Sequence, residues 1–175
     1  MNQDGLYHIS LMGGQARAIL IESTQLVQRA KDIHGLSRIA AAALGRTLTC
    51  AAMMGSMLKG EDESITTQIR GGGPIGTVMA VAHGDCTVKG YVDNPGIDLP
   101  RTGPKLPVGA AVGKDGRLTV VKDMHLREPY VGQSIWSPAR SPRTSPCTSP
   151  PPSRRRRWCR WACWCPTRRS SRRAD

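Results

Sequence analysis

Hydrophobic and polar residues follow two different periods along the first 134 residues, one typical of strands and one typical of helices. Residues 6–10 and 16–21 are short runs of β-type residues, which predicts a strand in each. Met12-Gly13-Gly14 between these runs predicts the turn of an early hairpin. Four later runs, bounded by Gly, Pro, Asn or Asp, also have strand character: 64–70, 75–82, 87–92 and 118–122. The pattern therefore predicts six short strands.

A helical period appears between the second and third of these strands. Ser23 or Thr24 can cap a first helix that runs to about residue 33, and Gly35 ends it. Ser37 can cap a second, longer helix that runs to about residue 58. The apolar positions that share a face are Leu26, Val27, Ala30 and Ile33 in the first helix and Ile39, Ala42, Ala43, Met53, Met54 and Met57 in the second. A helix pair embedded among antiparallel-type strands predicts an α+β fold in which sheets pack against helices.

The methionines of the second helix allow two interpretations. Met53, Met54 and Met57 could form an adaptable apolar surface for a protein partner, because a thioether side chain fits irregular shapes. Helical spacing is also what a packed core requires, and we favour the core. Apolar strand positions such as Ile65, Ile69, Val78 and Val81 are expected to be buried for the same reason. The sequence therefore does not show which apolar surface, if any, binds a partner.

Composition divides the chain at Ser134. Of the formal net charge of +12, residues 135–175 carry 11 Arg and one Asp, and this segment also holds every Trp, four of six Cys and no Gly. The first 134 residues are close to neutral. The domain boundary is therefore placed between 1–134, a folded domain, and 135–175, a basic tail whose Pro and Arg content predicts disorder.

Candidate chemistry in residues 1–134 is sparse. Gly71-Gly-Gly-Pro-Ile-Gly76 looks like a phosphate loop, but Pro74 removes a donor and a strand follows, so a turn is the better interpretation. Asp62 and Glu63 lie together in a solvated turn, and no Gly-x-Ser-x-Gly element is present. The histidines have no metal-binding spacing: His8, His34, His83 and His125. We therefore expect no enzyme, no catalytic residue, no cofactor site and no metal site.

The tail supports two weaker alternatives. The run 154–157 of four Arg, with Trp158, Trp161 and Trp164, could follow a phosphate backbone and stack bases, which would make the chain a nucleic-acid-binding protein. Cys147, Cys159, Cys163 and Cys165 could bind zinc, but their spacing does not form two knuckles. Nonspecific contact with polyanions is the simpler prediction for a basic tail.

Several stretches of the first 134 residues resemble one protein family in collinear order from about Leu6 to Ser134. They are His34-Gly-Leu-Ser37, Ala43-Leu-Gly-Arg-Thr-Leu-Thr49, Met53-Met-Gly-Ser-Met-Leu-Lys-Gly-Glu-Asp-Glu-Ser64, Gln68-Ile-Arg-Gly-Gly-Gly-Pro-Ile-Gly76, Gly90-Tyr-Val-Asp-Asn-Pro95, Val108-Gly-Ala-Ala-Val-Gly-Lys114, Val121-Lys-Asp123 and Glu128-Pro-Tyr-Val-Gly-Gln133. The family is the thirty-three-kilodalton heat-shock protein, a bacterial redox-regulated holdase chaperone.

The resemblance implies an ATP-independent cytoplasmic chaperone that binds unfolding proteins under oxidative stress, often as a homodimer. It also implies a C-terminal module in which cysteines, arranged C-x-C and C-x-x-C, bind zinc when reduced. Cys163-Trp-Cys165 imitates only the first half of that motif, and Cys50 and Cys86 match no redox position. We therefore expect this chain to lack the zinc and the redox switch.

The tail is interpreted as a frame-shifted continuation of the family sequence. Shifting the reading frame by one base turns Trp158-Cys159 into Val and Cys163-Trp164 into Leu, whichever codons encode the cysteines. The result fits an apolar strand of the family. Loss of that continuation predicts exposed apolar surface and a tendency to aggregate. The run 39–44 is too short to span a membrane, and residues 1–7 have no secretory signal pattern.

Overall fold

A computed structural model of the chain describes residues 3–100 and 104–136. The predictions for the tail therefore lie, from residue 137 onward, outside the described residues. The strands, in chain order, are β1 (Gly5–Leu11), β2 (Ala16–Glu22), β3 (Ser64–Arg70), β4 (Thr77–His83), β5 (Val88–Val92), β6 (Gly116–Asp123) and β7 (Tyr130–Trp136). The helices are α1 (Thr24–His34), α2 (Arg38–Gly55) and the single-turn α3 (Val108–Val112).

The α+β fold predicted from the pattern is confirmed. All six predicted strands are present, and Met12–Gly14 forms the turn of the first hairpin. Two elements, α3 and β7, were not predicted. α3 is five residues long, too short to establish a helical period, and β7 alternates weakly because Gly132, Gln133 and Ser134 interrupt its apolar residues. β7 extends two residues beyond Ser134.

Two sheets organise the strands. β1 and β2 form an antiparallel pair, and the other five strands form an antiparallel sheet in the order β5-β4-β3-β6-β7. α2 packs across β3, β4 and β5, and α1 packs against α2. The main sheet therefore has one face covered by α2, which we call the helix face, and a second face that we call the open face.

The start of α1 differs in detail from its prediction. Ser23 occupies the N-cap position, but its hydroxyl bonds to the Thr49 hydroxyl at 2.8 Å and caps no helical N–H group. The Asp4 carboxylate accepts instead, from the N–H groups of Gln25 at 2.9 Å and Leu26 at 2.7 Å. A cap supplied from 21 positions away leaves no local signal in the sequence. Gly35 ends α1 with φ +58°, as predicted.

The apolar faces of the helices are buried to different extents. Ser37 caps α2 as predicted, because its hydroxyl accepts from the Ala40 N–H group at 3.1 Å. Ile33 was expected to pack with the rest of its helix face, but it lies at the last turn of α1 and is 66% exposed. Most of the described core comes from α2, the helix face and α3: Leu36, Ile39, Ala40, Ala43, Leu44, Leu48, Ala51, Ile69, Ile75, Val78, Ala80, Ala82, Val92, Val108, Ala111 and Val112.

Candidate functional site

The open face carries a mixed set of side chains in register across five strands. Because residues directly opposite in an antiparallel pair point to the same side, the pairing places these positions in rows. One row is Tyr91, Met79, Gln68, Thr119 and Gln133. The next row is Lys89, Val81, Thr66, Val121 and Val131. Two further rows complete it: Thr77, Arg70, Arg117 and Ile135 at one end, and His83, Ser64 and Asp123 at the other.

Apolar side chains on the open face remain accessible. Tyr91 is 43% exposed, Val131 is 53% exposed and Ile135 is 85% exposed. Met79, Val81 and Val121 in the middle strands are half-buried. The opposite side of the same strands is packed under α2, where Val78, Ala80 and Ala82 are essentially inaccessible. The open face can therefore bury further apolar area against a partner without any rearrangement of the core.

Positive charge predominates on the open face. Arg70 at the end of β3 and Arg117 near the start of β6 are register partners, and both are exposed. Lys89 adds a third cation on β5. Asp123, the carboxylate that the described strands place on this face, accepts a hydrogen bond from the His125 backbone N–H group at 2.9 Å. A partner that approaches these strands thus meets apolar side chains together with cationic ones.

The turn between β4 and β5 is tightly hydrogen-bonded. The Thr87 hydroxyl donates to the Asp85 carboxylate at 2.7 Å, and the Thr87 N–H group donates to the same oxygen at 2.8 Å. These two hydrogen bonds, the hydroxyl first, hold the pKa of Asp85 below its usual range. Cys86 follows in the left-handed region, with φ +66°, and is exposed.

The glycine loop after β3 is a structural turn, as predicted. Its donors are used by α3, because Gly73 N–H donates to the Val112 carbonyl at 3.0 Å and Ile75 N–H donates to the Ala111 carbonyl at 3.1 Å. A Cβ atom at Gly73 would collide with the Ala111 carbonyl oxygen. Glycine therefore allows the backbones to approach closely, and these two N–H groups are not free to bind phosphate.

The histidines and carboxylates picked out in the sequence stay apart. His8 lies in β1, His34 ends α1 and His83 ends β4. In the β6–β7 loop, His125 Nε2 lies 3.0 Å from the Asp62 carbonyl oxygen, which ties that loop to the acidic turn before β3. Within 3–100 and 104–136, no three His, Cys, Asp or Glu residues form a group suited to holding a metal ion.

The cysteines in the described residues do not fit the zinc module of the resemblance. Cys50 is half-buried in α2, and Cys86 is exposed in the β4–β5 turn. A structural zinc site draws four ligands together, and these residues lie on separate elements. Tail cysteines, arginines and tryptophans beyond Trp136 lie outside the described residues.

The apolar strand residues that the sequence analysis considered lie on both faces of the main sheet. Ile65, Ile69 and Val78 lie on the helix face and are buried, as expected, whereas Val81 lies on the open face and is half-buried. Met53 and Met54 are half-buried in α2, and Met57 beyond it is 52% exposed. Sequence reasoning missed Val131 and Ile135 on the open face because β7 was not predicted. A run of Tyr-Val after Pro129 was the available signal.

These features define an antiparallel α+β domain whose helices cover one sheet face and whose other face is open and partly apolar. Residues 4–136 match the family model described as Hsp33 protein. The chain is 52% identical over 117 residues to the 33 kDa chaperonin of Alkaliphilus metalliredigens, and 49% identical over 132 residues to that of Clostridium perfringens. The chain belongs to the Hsp33 family, and the family predicted from the sequence motifs is confirmed.

A solved structure supports the same assignment. The crystal structure of the 33 kDa chaperonin from Thermotoga maritima superposes with a TM-score of 0.70 at 36% identity, and the match covers 74% of this chain and 44% of that one. The match to the Alkaliphilus protein covers 66% of this chain and 40% of that protein. The match to the Clostridium protein covers 74% of this chain and 42% of that protein. The chain thus spans less than half the length of these relatives. None of these matches supports nucleic-acid binding.

None of the helices in the described part of the chain has the length and apolar character needed to cross a bilayer.

Proposed function

We propose that this chain holds unfolding proteins in solution by binding their exposed apolar segments on the open face. The binding needs neither ATP nor a catalytic residue. The accessible Tyr91, Val131 and Ile135 on an otherwise well-packed sheet are the observation that carries the proposal. An extended or collapsed client segment would bury these side chains, and each fully buried aliphatic side chain contributes about 1.5–3 kcal/mol. Membership in a family whose relatives are named chaperonins supports the proposal.

The proposed activity is constitutive. The cysteines of the sequence include a C-x-C pair at Cys163 and Cys165 but no C-x-x-C pair, so we infer that the chain acts without zinc and without a disulfide switch. The proposal includes a cytoplasmic location and a homodimer, and both rest on the family resemblance. Metal analysis of the purified chain should give less than one equivalent of zinc, and sedimentation should give twice the chain mass.

The test is light scattering by a thermally aggregating client protein, with and without oxidant. We expect the chain to suppress the scattering to the same extent in both conditions. No suppression at any molar ratio would overturn the holdase function. Suppression that requires oxidant would contradict the constitutive activity alone.

We also propose that the segment after Ser134 is a frame-shifted tail whose contacts with polyanions are nonspecific. Its 11 arginines and lack of glycine support this interpretation. Sequencing the coding DNA across Ser134 should reveal a continuation of the family in the next frame. A binding titration with heparin or DNA should show a steep salt slope and no preference for base sequence. A sequence-selective complex would support nucleic-acid binding instead.

A further inference from the structure

The pairing of Arg70 with Arg117 is an unusual feature of the open face. The two residues are directly opposite each other on β3 and β6, so their Cβ atoms lie about 4.5–5.5 Å apart. Like charges at such positions repel each other and destabilise the strand pair. Both side chains are exposed, and both lie at the same end of the sheet as Ile135.

Within the described residues, neither arginine takes part in an ion pair. Asp115, exposed in the bend before β6, is two residues from Arg117 but does not pair with it. Asp93 is near the same end of the sheet, but its Oδ2 accepts from the Thr77 N–H group at 2.7 Å. Asp123, the carboxylate of the open face, is six residues along β6 from Arg117, which corresponds to about 20 Å in a strand. The two guanidinium groups are thus available for a carboxylate from outside.

The arginine pair lies within one short peptide segment's reach of the apolar side chains on the open face. Arg117 and Val121 lie on the same side of β6, four residues apart, or about 13 Å. An extended segment lying along β6 therefore reaches both with side chains four positions apart, because alternate residues of a strand share a face. Guanidinium groups bind carboxylates through two parallel hydrogen bonds, which favours Asp or Glu over neutral side chains at that position.

We propose that Arg70 and Arg117 make the open face select client segments in which an acidic residue lies four positions from an apolar one. The partner is thus an extended, apolar segment of an unfolding protein with Asp or Glu at one end. This inference rests on the proposed function of the open face and specifies its substrate class. Lys89, in the row of Val81 and Val121, adds to the positive potential that attracts such segments.

Three labelled peptides of about twelve residues test the selectivity. All three contain the same valines and tyrosine. At two positions, each four residues from a valine, the first peptide carries Glu, the second Gln and the third Lys. With the full chain at low salt, fluorescence anisotropy should rank their affinities Glu, then Gln, then Lys, with about three- to tenfold between the first two. The difference should largely vanish at about 0.5 M salt, because exposed charges are then screened.

Variants separate the arginine pair from the basic tail. Arg70→Gln/Arg117→Gln should remove most of the preference for the Glu peptide, and Arg70→Glu/Arg117→Glu should reverse it toward the Lys peptide. Arg29→Gln/Arg46→Gln removes the same charge from exposed positions on α1 and α2 and should preserve the preference. All variants keep the tail, so its contribution is common to them.

Photo-crosslinking locates the bound peptide. A benzophenone group on the Glu peptide should label β3, β6 or β7, as mapped by mass spectrometry. Labelling confined to residues after 136, or an unchanged preference in Arg70→Gln/Arg117→Gln, would overturn the selectivity. If the Gln peptide and a thermally unfolding client also fail to bind, the proposed function itself fails. If both bind as well as the Glu peptide, only the selectivity is wrong.

Discussion

Single side chains fix the ends of elements in this domain, through contacts that are mostly distant in the sequence. Asp4 caps α1 through two hydrogen bonds, His125 ties the β6–β7 loop to the turn before β3, and Asp85 is fixed by Thr87. Only the last of these contacts is local. Sequence reasoning therefore placed the ends of α1 correctly but assigned its cap to the wrong side chain.

Asp4→Ala tests the cap of α1. The variant leaves the N–H groups of Gln25 and Leu26 without the carboxylate and removes a negative charge from the helix N-terminus. We expect urea unfolding to show a loss of about 0.5–2 kcal/mol in the free energy of unfolding. Asp98→Ala, at an exposed loop position, is the control and should have little effect. Equal stability of Asp4→Ala and the parent chain would contradict the capping role.

Arg117→Gln tests the repulsion between the paired arginines. Removing one of two like charges at directly opposite strand positions should raise the free energy of unfolding by about 0.2–1 kcal/mol. Urea unfolding at low salt measures the gain, and added salt should reduce it because screening weakens the repulsion in the parent chain. A loss of stability at low salt would mean that the two side chains stabilise each other.

At the scale of elements, the sequence predicted the helices and strands that have a clear pattern of residues, and it missed the short α3 and the weakly alternating β7. β3, β4 and α2 were found because their burial repeats every two or about 3.6 residues, whereas the other predicted elements were found from their residue types and from the turn or cap residues that bound them. α3 was missed because five residues make little more than one turn, and its burial depends on the glycine loop packed against it. β7 supplies Val131 and Ile135, two of the three accessible apolar side chains of the open face, so this part of the candidate site was also hidden.

Gly73→Ala tests the contact between the glycine loop and α3. The added methyl group would collide with the Ala111 carbonyl oxygen, and the loop would have to move away from its hydrogen bonds to α3. We expect a loss of about 1–3 kcal/mol in the free energy of unfolding. Gly109→Ala, in α3 itself, has open space around its Cβ position and should be neutral or stabilising. Similar effects of the two substitutions would argue against a specific close approach.

The β1–β2 hairpin should be the least stable element of the described domain. It pairs with no other strand in the described residues, and Tyr7, Leu11 and Leu20 are largely exposed. Two-stranded sheets are marginal without further packing. Hydrogen exchange followed by mass spectrometry should show faster exchange in β1 and β2 than in β3 and β4. Equal protection of the two sheets would contradict the expected low stability of the hairpin.

On the scale of the whole molecule, the charge of the chain and its function have different origins. The net charge of +12 comes mainly from residues 135–175, whereas the family match ends at residue 136. The matched domain has a covered face that supplies stability and an open face that remains available to a partner. The expected aggregation of a chain that lacks the family's continuation stays a prediction, as do its disordered tail and the boundary at Ser134.

Suppression of client aggregation by an open-face variant tests the central claim most directly. Tyr91→Ser/Val131→Ser/Ile135→Ser removes three accessible side chains from the open face, and Leu20→Ser/Ile33→Ser/Leu126→Ser removes three similarly exposed ones elsewhere. Light scattering of a heated client should show that the open-face variant requires at least about tenfold more chain for the same suppression, because apolar contact area is lost. The control variant should match the parent chain. Equal suppression by all three would contradict client binding on the open face.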